Sequence, residues 1–390
     1  MKYISVLTGI ILWGTTVATA QTKVVPVFES GQEGHASYRI PAVVALPNGE
    51  ILAFAEGRVH DSDDFGDIDI VMKRSKDNGN TWSALTQVVE YDTKQAGNPA
   101  PVVDLSDPAF PHGRIFLFYN TGNEHEGTVR KGKGYREVWY VVSADGGSTW
   151  SAPVNITTQV HRPNQPAVNP AYNFKEDWRS YANTPGHAMQ FSKGKYKGRI
   201  YVAANHSAGN VKHAFEDYSA HGFYTDDHGK TFHLAESLPI PGSNEATAAE
   251  LSAGRLMINT RNQRGDVKAR LIGISDDGGA TWNKTYTDKQ LPDPVCEGSL
   301  LTIGWKKEKA ILAFCNAADT ATRDNLTLRI SYDEGNTWPK SYVVASSGKS
   351  VPSYAAYSDI VKITDRQIGV LYEADNYARI VFKMVQLSKP

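Results

Sequence analysis

The chain has 390 residues, 41% hydrophobic, 10% aromatic and 21% charged, with 33 Gly and 19 Pro. That balance suits a large core broken by many turns and excludes a disordered or collagen-like chain. With 41 Lys+Arg against 42 Asp+Glu the net charge is −1, so nothing draws the whole molecule to nucleic acid and anion recognition must be local.

At the N-terminus Lys2 precedes an apolar stretch that ends in Ala18-Thr19-Ala20, the small-x-small pattern a signal peptidase accepts. Residues 1–20 therefore read as a signal peptide with cleavage before Gln21. The segment Ile4 to Trp13 is too short to span a bilayer, which needs about 20 apolar residues. The predicted product is soluble, secreted or periplasmic, and without stable membrane insertion. Residues 21–390 are then about 370 positions, for which length alone suggests two or three domains.

An internal repeat cancels that expectation. The pattern Ser/Thr-x-Asp-x-Gly-x-Thr-aromatic occurs five times, starting at Ser75, Ser143, Thr225, Ser275 and Ser331, with Asp77, Asp145, Asp227, Asp277 and Asp333 at its third position. Its Asp can accept backbone N–H bonds, its Gly can take positive φ, and its aromatic ring can pack beneath the turn. These are hairpin corners, 50 to 82 residues apart. Between them run short β-rich segments: Ile51–Phe54, Gly113–Asn120, Arg136–Ser143, Gly198–Asn205, Gly254–Arg261, Lys309–Asn316 and Gln367–Ala374. No long amphipathic helix is evident. The expected fold is all-β, a single six-bladed β-propeller over residues 21–390.

Other motifs give little. A calcium-loop reading from Asp61 would put Phe65 and Met72 at ligand positions and fails. Zinc His pairs, phosphate loops and Ser-nucleophile elbows are missing, so no metal or cofactor is expected. Cys296 and Cys315 flank a strand-turn-strand segment; whether they bond or are separately buried stays open at this point.

Together the five Asp boxes and the tetrapeptide Tyr38-Arg39-Ile40-Pro41 resemble the exo-sialidase family, over roughly residues 24 to 390. The resemblance implies a six-bladed propeller that hydrolyses terminal α-linked sialic acids of glycoproteins, glycolipids or oligosaccharides; the balanced charge gives no nucleic-acid partner, and a monomer is expected. Sialic acid carries a carboxylate on its anomeric carbon, so its binder needs converging guanidinium groups. The contexts of Arg39, Arg261 (INTRNQRG) and Arg323 (DTATRDNL) resemble the family's arginine triad, whereas Arg264 and Arg329 read as surface or strand charges.

A carboxylate nucleophile would be repelled by the substrate's own carboxylate, and a phenol beside a base would not. Tyrosine is the nucleophile in sialidases. SYAAYSDI resembles the motif around it and selects Tyr357, with Tyr354 as competitor. The matching base is Glu245, 16 positions before Arg261, rather than Glu250. The leaving-group acid falls in DSDDFGDIDIV, at Asp64, with Asp63 able to exchange for it and Asp67 and Asp69 as loop and strand residues. Glu373 matches the acid that orients the first arginine. Further substrate-binding candidates are Asn98, His187, Gln190 and Glu297; related sequences carry Gln at the last, so Glu297 sits in the pocket only if burial or a neighbouring carboxylate keeps it protonated. A sialoglycan-binding propeller without activity would not need Tyr357, Glu245 and Asp64 together. Transfer to another sugar, or within the substrate, is the alternative among enzymes.

Overall fold

The computed structural model describes residues 23–349 and 351–388. The expected signal peptide and its cut before Gln21 lie outside the described residues. Every substantial element is a strand; the two α-helices, Glu126–Val129 and Thr157–Val160, are single turns. Among the described residues no helix is long and apolar enough to cross a membrane.

The strands form antiparallel meanders whose first members line a common axis. Three sheets are Ser243–Glu250 through Lys284–Pro292, Gly298–Lys306 through Lys340–Ala345, and one beginning at Trp178–Asn183 and ending at His233–Leu234. A fourth runs Ala355–Thr364, Gln367–Ala374, Arg379–Gln386 and takes the N-terminal strand Val24–Glu29 as its outer edge. That last pairing joins the two ends of the described chain and closes the ring. The inner strand Ser37–Ala45 packs beside both Ala355–Thr364 and Gln95–Asp104, completing a β-propeller.

Separate sheets number five rather than the six expected. The remaining sheet has eight strands, because Ile68 pairs in parallel with Gln95 and joins two four-stranded sets, one led by Ser37–Ala45 and the other by Gln95–Asp104. Six apolar clusters fill the gaps between neighbouring sheets or half-sheets. Strand lengths of mostly six to ten residues and inward faces rich in Val, Ile, Leu and Phe account for this packing.

Each Asp box closes by the same bonds. In the first, Asp77 Oδ1 accepts from Thr81 N at 2.9 Å, Oδ2 from Thr81 Oγ1 at 2.7 Å, and Ser75 Oγ from Gly79 N at 2.8 Å. The fourth repeats this at Ser275, Asp277, Gly279 and Thr281. The box glycine also lets the corner touch the preceding sheet: a Cβ on Gly279, whose φ is +95°, would lie 2.4 Å from the Tyr201 ring, and one on Gly79 2.1 Å from Phe382. Trp82 and Trp150 reach the same way, meeting Phe382 and Phe54 edge-on.

On the axis, the fully buried Asp359 collects Val43 N at 2.8 Å, Ser299 Oγ at 2.6 Å and His187 Nδ1 at 2.6 Å, tying together side chains and backbone from four sheets. Cys296 and Cys315 are both buried and unbonded: Cys315 pairs with Ser299 across the hairpin, while Cys296 precedes its first strand.

The box geometry predicts that Gly279→Ala destabilises the protein by about 1–3 kcal/mol, through overpacking against Tyr201 in addition to backbone strain. Thermal unfolding of the variant against wild type measures this; an unchanged midpoint would mean that the corner has room to move.

Candidate functional site

The inner strands share an irregularity at one depth. Register shifts fall between Arg39 and Ala42, Gly97 and Ala100, Ser243 and Ala246, and Ala355 and Ser358. A bulge turns a side chain away from the regular alternation. The displaced residues include Asn98, Glu245 and Tyr357, and Arg39 is the last paired residue before its bulge; all four line one cavity of about 380 Å³ together with Asp64, Arg261 and Arg323. Ile40 and Asn98 hold positive φ, +58° and +53°, each directly before a proline that has no N–H to give the ladder.

At the centre Tyr357 OH donates to Glu245 Oε1 at 2.5 Å and receives Arg261 Nη1 at 2.9 Å, while the same Nη1 reaches Glu245 Oε2 at 2.7 Å. Burial pushes the phenol well above its usual pKa and the Glu245 charge adds to this, with Arg261 and Arg323 pulling the other way. The phenol is therefore protonated at rest and has its acceptor already in place. Arg39 and Arg323 lie 5.6 and 5.4 Å from the Tyr357 ring centroid. Burial works against the charge of these arginines, but Glu373 beside Arg39, Glu245 beside Arg261, and Cys296 and Tyr357 beside Arg323 outweigh it and hold all three guanidiniums above their ordinary pKa.

Glu373, fully buried, fixes the first of them: Oε1 takes Arg39 Nε at 2.6 Å and Ile40 N at 3.0 Å, and Oε2 takes Tyr357 N at 3.2 Å. One carboxylate thus sets both an arginine and the backbone of the tyrosine. Arg323 is braced by Tyr377 OH at 3.0 Å, whose ring also underlies Arg39 at 4.1 Å. Asp64 stands at the mouth with its side chain 71% exposed, 2.8 Å from Arg58 and 3.9 Å from Arg39. Desolvation there raises its pKa, yet Arg58 and then Arg39 outweigh it and hold the carboxyl below the usual range.

The structure separates other expected residues from this cavity. Asp63 points outward toward His125, 3.8 Å away, and does not line it. His187 and Gln190 face the opposite end of the axis: His187 is bound to Asp359, and Gln190 donates to Asp104 and Ser106. The segment after Asn183, which leads into the short strand Met189–Gln190, carries them past the site depth. Glu297 lies beneath the site, 2% exposed, with Oε2 accepting from Ser358 N at 2.8 Å and Oε1 unpartnered; burial raises its pKa well above the carboxylate range, so it is neutral. Of the competing residues, Glu250 is tied to Ser192 and the backbone of Lys193 at the far end, and Tyr354 packs into the core between the last two sheets. Arg264 pairs with Asp266 at the surface, and Arg329 lies beside Asn316.

Several cavity residues carry no motif: Glu56, Arg58, Glu126, Arg136, Ser180, Phe215, Asn244 and Gln263. Glu56 and Arg58 share one face of the strand Ile51–Arg58, but that strand is buried on both faces, so their charge within an apolar run, not alternation, is the signal that could have found them. Arg136, Ser180 and Asn244 lie on strands, and Glu126, Phe215 and Gln263 on single helical turns or a turn, none within a motif.

Comparison with known proteins places the chain in a well-populated group. Residues 49–370 match the BNR repeat-like domain. A sialidase of Micromonospora viridifaciens is 31% identical over 361 residues, 88% of this chain and 51% of the relative. An exo-alpha-sialidase of Arthroderma benhamiae is 30% identical, covering 88% of this chain and 79% of its own length. Among solved structures, a Hadza microbial sialidase superposes with a TM-score of 0.77 at 26% identity, over 93% of this chain and 68% of the other. The chain thus spans about half of the Micromonospora protein.

The neutral state of Glu297 carries a pH signature. A folded pKa raised above the unfolded value stabilises the protein below the unfolded pKa, and that contribution is lost as pH rises toward the folded pKa. Glu297→Gln keeps the shape and removes the titration, so its melting temperature relative to wild type should increase between pH 5 and pH 8. A constant difference across that range would show that Glu297 is ionised in the fold.

Proposed function

The chain belongs to the sialidase family, and we propose that it is an exo-α-sialidase that removes terminal α-linked sialic acids from glycoproteins, glycolipids or oligosaccharides by hydrolysis with retention. The observation that carries this reading is the Tyr357 phenol held between Glu245 and Arg261 in a cavity that also receives Arg39 and Arg323. We count the two four-stranded halves of the eight-stranded sheet as separate blades, making six, in a single catalytic domain. The protein acts as a monomer, secreted or periplasmic, without metal or cofactor.

The three guanidiniums clamp the substrate carboxylate, which orients the anomeric carbon over the Tyr357 oxygen. The phenol attacks as its proton passes to Glu245; the glycosidic bond breaks and Asp64 gives its proton to the departing oxygen. Water then attacks the tyrosyl-linked sugar with its proton going to Asp64. The phenol leaves and recovers its proton from Glu245. Two inversions give net retention.

Glu373 supports the cycle by keeping Arg39 and the Tyr357 backbone in register. Asn98, whose backbone N–H donates to Glu56 Oε1 at 2.9 Å, has its side chain placed to bond a sugar hydroxyl. A sialoglycan-binding propeller would gain nothing from a phenol paired to a carboxylate, which favours the enzyme.

Tyr357→Phe should lower kcat on 4-methylumbelliferyl α-sialoside by three orders of magnitude or more, the scale expected on losing a nucleophile, and NMR of the wild-type reaction should show α-sialic acid first. A folded wild type that binds sialosides without turnover would make it a lectin, and an anhydro sugar would reveal internal transfer. The acid role of Asp64 sets the pH dependence. It must be protonated, and Arg58 and Arg39 hold its pKa low, so kcat/KM should climb as pH falls from 7 toward 5. Arg58→Met, by lifting that pKa, should move the limb to higher pH; an unmoved limb would assign the proton to another group.

A further inference from the structure

The three arginines of the clamp are not held alike. Glu373 fixes Arg39 through a carboxylate, and Glu245 does the same for Arg261. Among the described residues no carboxylate pairs with Arg323, and the one hydrogen bond of its side chain runs from Nη1 to Tyr377 OH at 3.0 Å. The Tyr377 ring also lies under the Arg39 guanidinium, its centroid 4.1 Å from Cζ. One phenol therefore touches two of the three arginines, from outside the cavity that they line.

The backbone that presents this phenol has an unusual shape. Asp375, Asn376 and Tyr377 have φ of +54°, +57° and +66°, three left-handed residues in succession without a glycine. A bulky aromatic takes that conformation only where its surroundings impose it. Here Asp375 N donates to Tyr354 O and Asn376 N to Ser353 O, both at 3.0 Å, and Ser30 Oγ donates to Tyr377 O at 3.1 Å. Ser353 Oγ gives Tyr377 OH a second donor at 3.0 Å. The same short segment receives Arg323, whose N–H donates to Pro352 O at 2.9 Å and whose carbonyl accepts from Ala355 N at 3.1 Å. Phenol, guanidinium and the start of the Tyr357 strand are thus hung on residues 352–355.

Resting on the sialidase reading, we infer that Tyr377 is a positioning residue of the clamp, whose hydroxyl aims Arg323 and whose ring seats Arg39 without neutralising either. A carboxylate at this place would occupy the guanidinium fork and cancel the field that draws the substrate's own carboxylate. A phenol oxygen takes one of five N–H donors and brings no charge, so the rest stay available. The aromatic face adds an attraction for the cation that grows as water is excluded. Arg323 is then the clamp arm whose charge is left for the ligand. Tyr377 sets affinity for the anion rather than the rate of bond breaking.

Wild type, Tyr377→Phe, Tyr377→Leu, Arg323→Met and the double variant Arg323→Met/Tyr377→Phe are compared on 4-methylumbelliferyl α-sialoside, with NMR titration of free sialic acid and of its methyl ester. Tyr377→Phe removes only the hydroxyl and should raise KM roughly tenfold with kcat within about twofold, the scale of a hydrogen bond to a charged group lost equally from ground and transition states. Binding of the free acid should weaken by the same factor, and that of the ester should not change. Tyr377→Leu, which also removes the ring under Arg39, should cost a further factor of about five. In the Arg323→Met background Tyr377→Phe should have no further effect, because the hydroxyl acts through that guanidinium. Equal losses in both backgrounds, a fall in kcat with KM unchanged, or parallel weakening of acid and ester would overturn the assignment and leave Tyr377 as support for its turn. Tyr377→Phe keeps the ring and its packing, so the result stands if Tyr377→Leu does not fold. Wild type that cleaves no sialoside would refute the sialidase reading instead. The positioning role is then decided by titration: it holds if Tyr377→Phe weakens binding of the free acid and not of the ester, and it fails if neither changes or if wild type binds no sialic acid.

Discussion

The Asp359 carboxylate is the point on which the architecture turns. It is fully buried on the axis and would be prohibitively unstable alone, yet it gathers donors from strands that the chain visits hundreds of residues apart. Two positions earlier in the same strand stands Tyr357. Whatever fixes Asp359 against Val43, Ser299 and His187 therefore also fixes the depth at which the tyrosine emerges. Structure and site share one strand.

The bulges convert this frame into a polar cavity. Regular alternation would send successive residues of each inner strand to one neighbour and then the other, never inward together. The register shifts at Arg39, Gly97, Ser243 and Ala355 break that alternation at a common level. Charges that would repel or starve for partners in isolation are then interleaved: Glu373 with Arg39, Glu245 with Arg261, Arg58 with Asp64. Without these pairs the concentrated positive charge would resist assembly.

Much of this was legible because the signals are local. The Asp box is a five-residue turn with one hydrogen-bond scheme, and Arg-Ile-Pro marks a bulge that needs a proline; Asn98-Pro99 is the same device in a second strand. Residues assigned by local context, such as His187, Gln190 and Asp63, lie elsewhere because local context does not fix where an irregular segment leads: Asp63 sits on the loop after Arg58 and turns toward His125, and His187 sits on the segment that runs into Met189–Gln190 at the other end of the axis. The eight-stranded sheet was equally hidden, since it arises from a single parallel contact between Ile68 and Gln95.

The joining of Val24–Glu29 to Arg379–Gln386 has a consequence for biogenesis. Arg39 and its partner Glu373 are 334 positions apart, and the strand that seats Glu373 is held by the final one. A nascent chain still emerging from the ribosome therefore exposes an arginine without its counterion and a tyrosine without its backbone brace. The brace for Arg39 and Tyr357 is complete only with the last blade, so a chain cut short near its end would lose the seat of both and present an open ring with two unpaired edges.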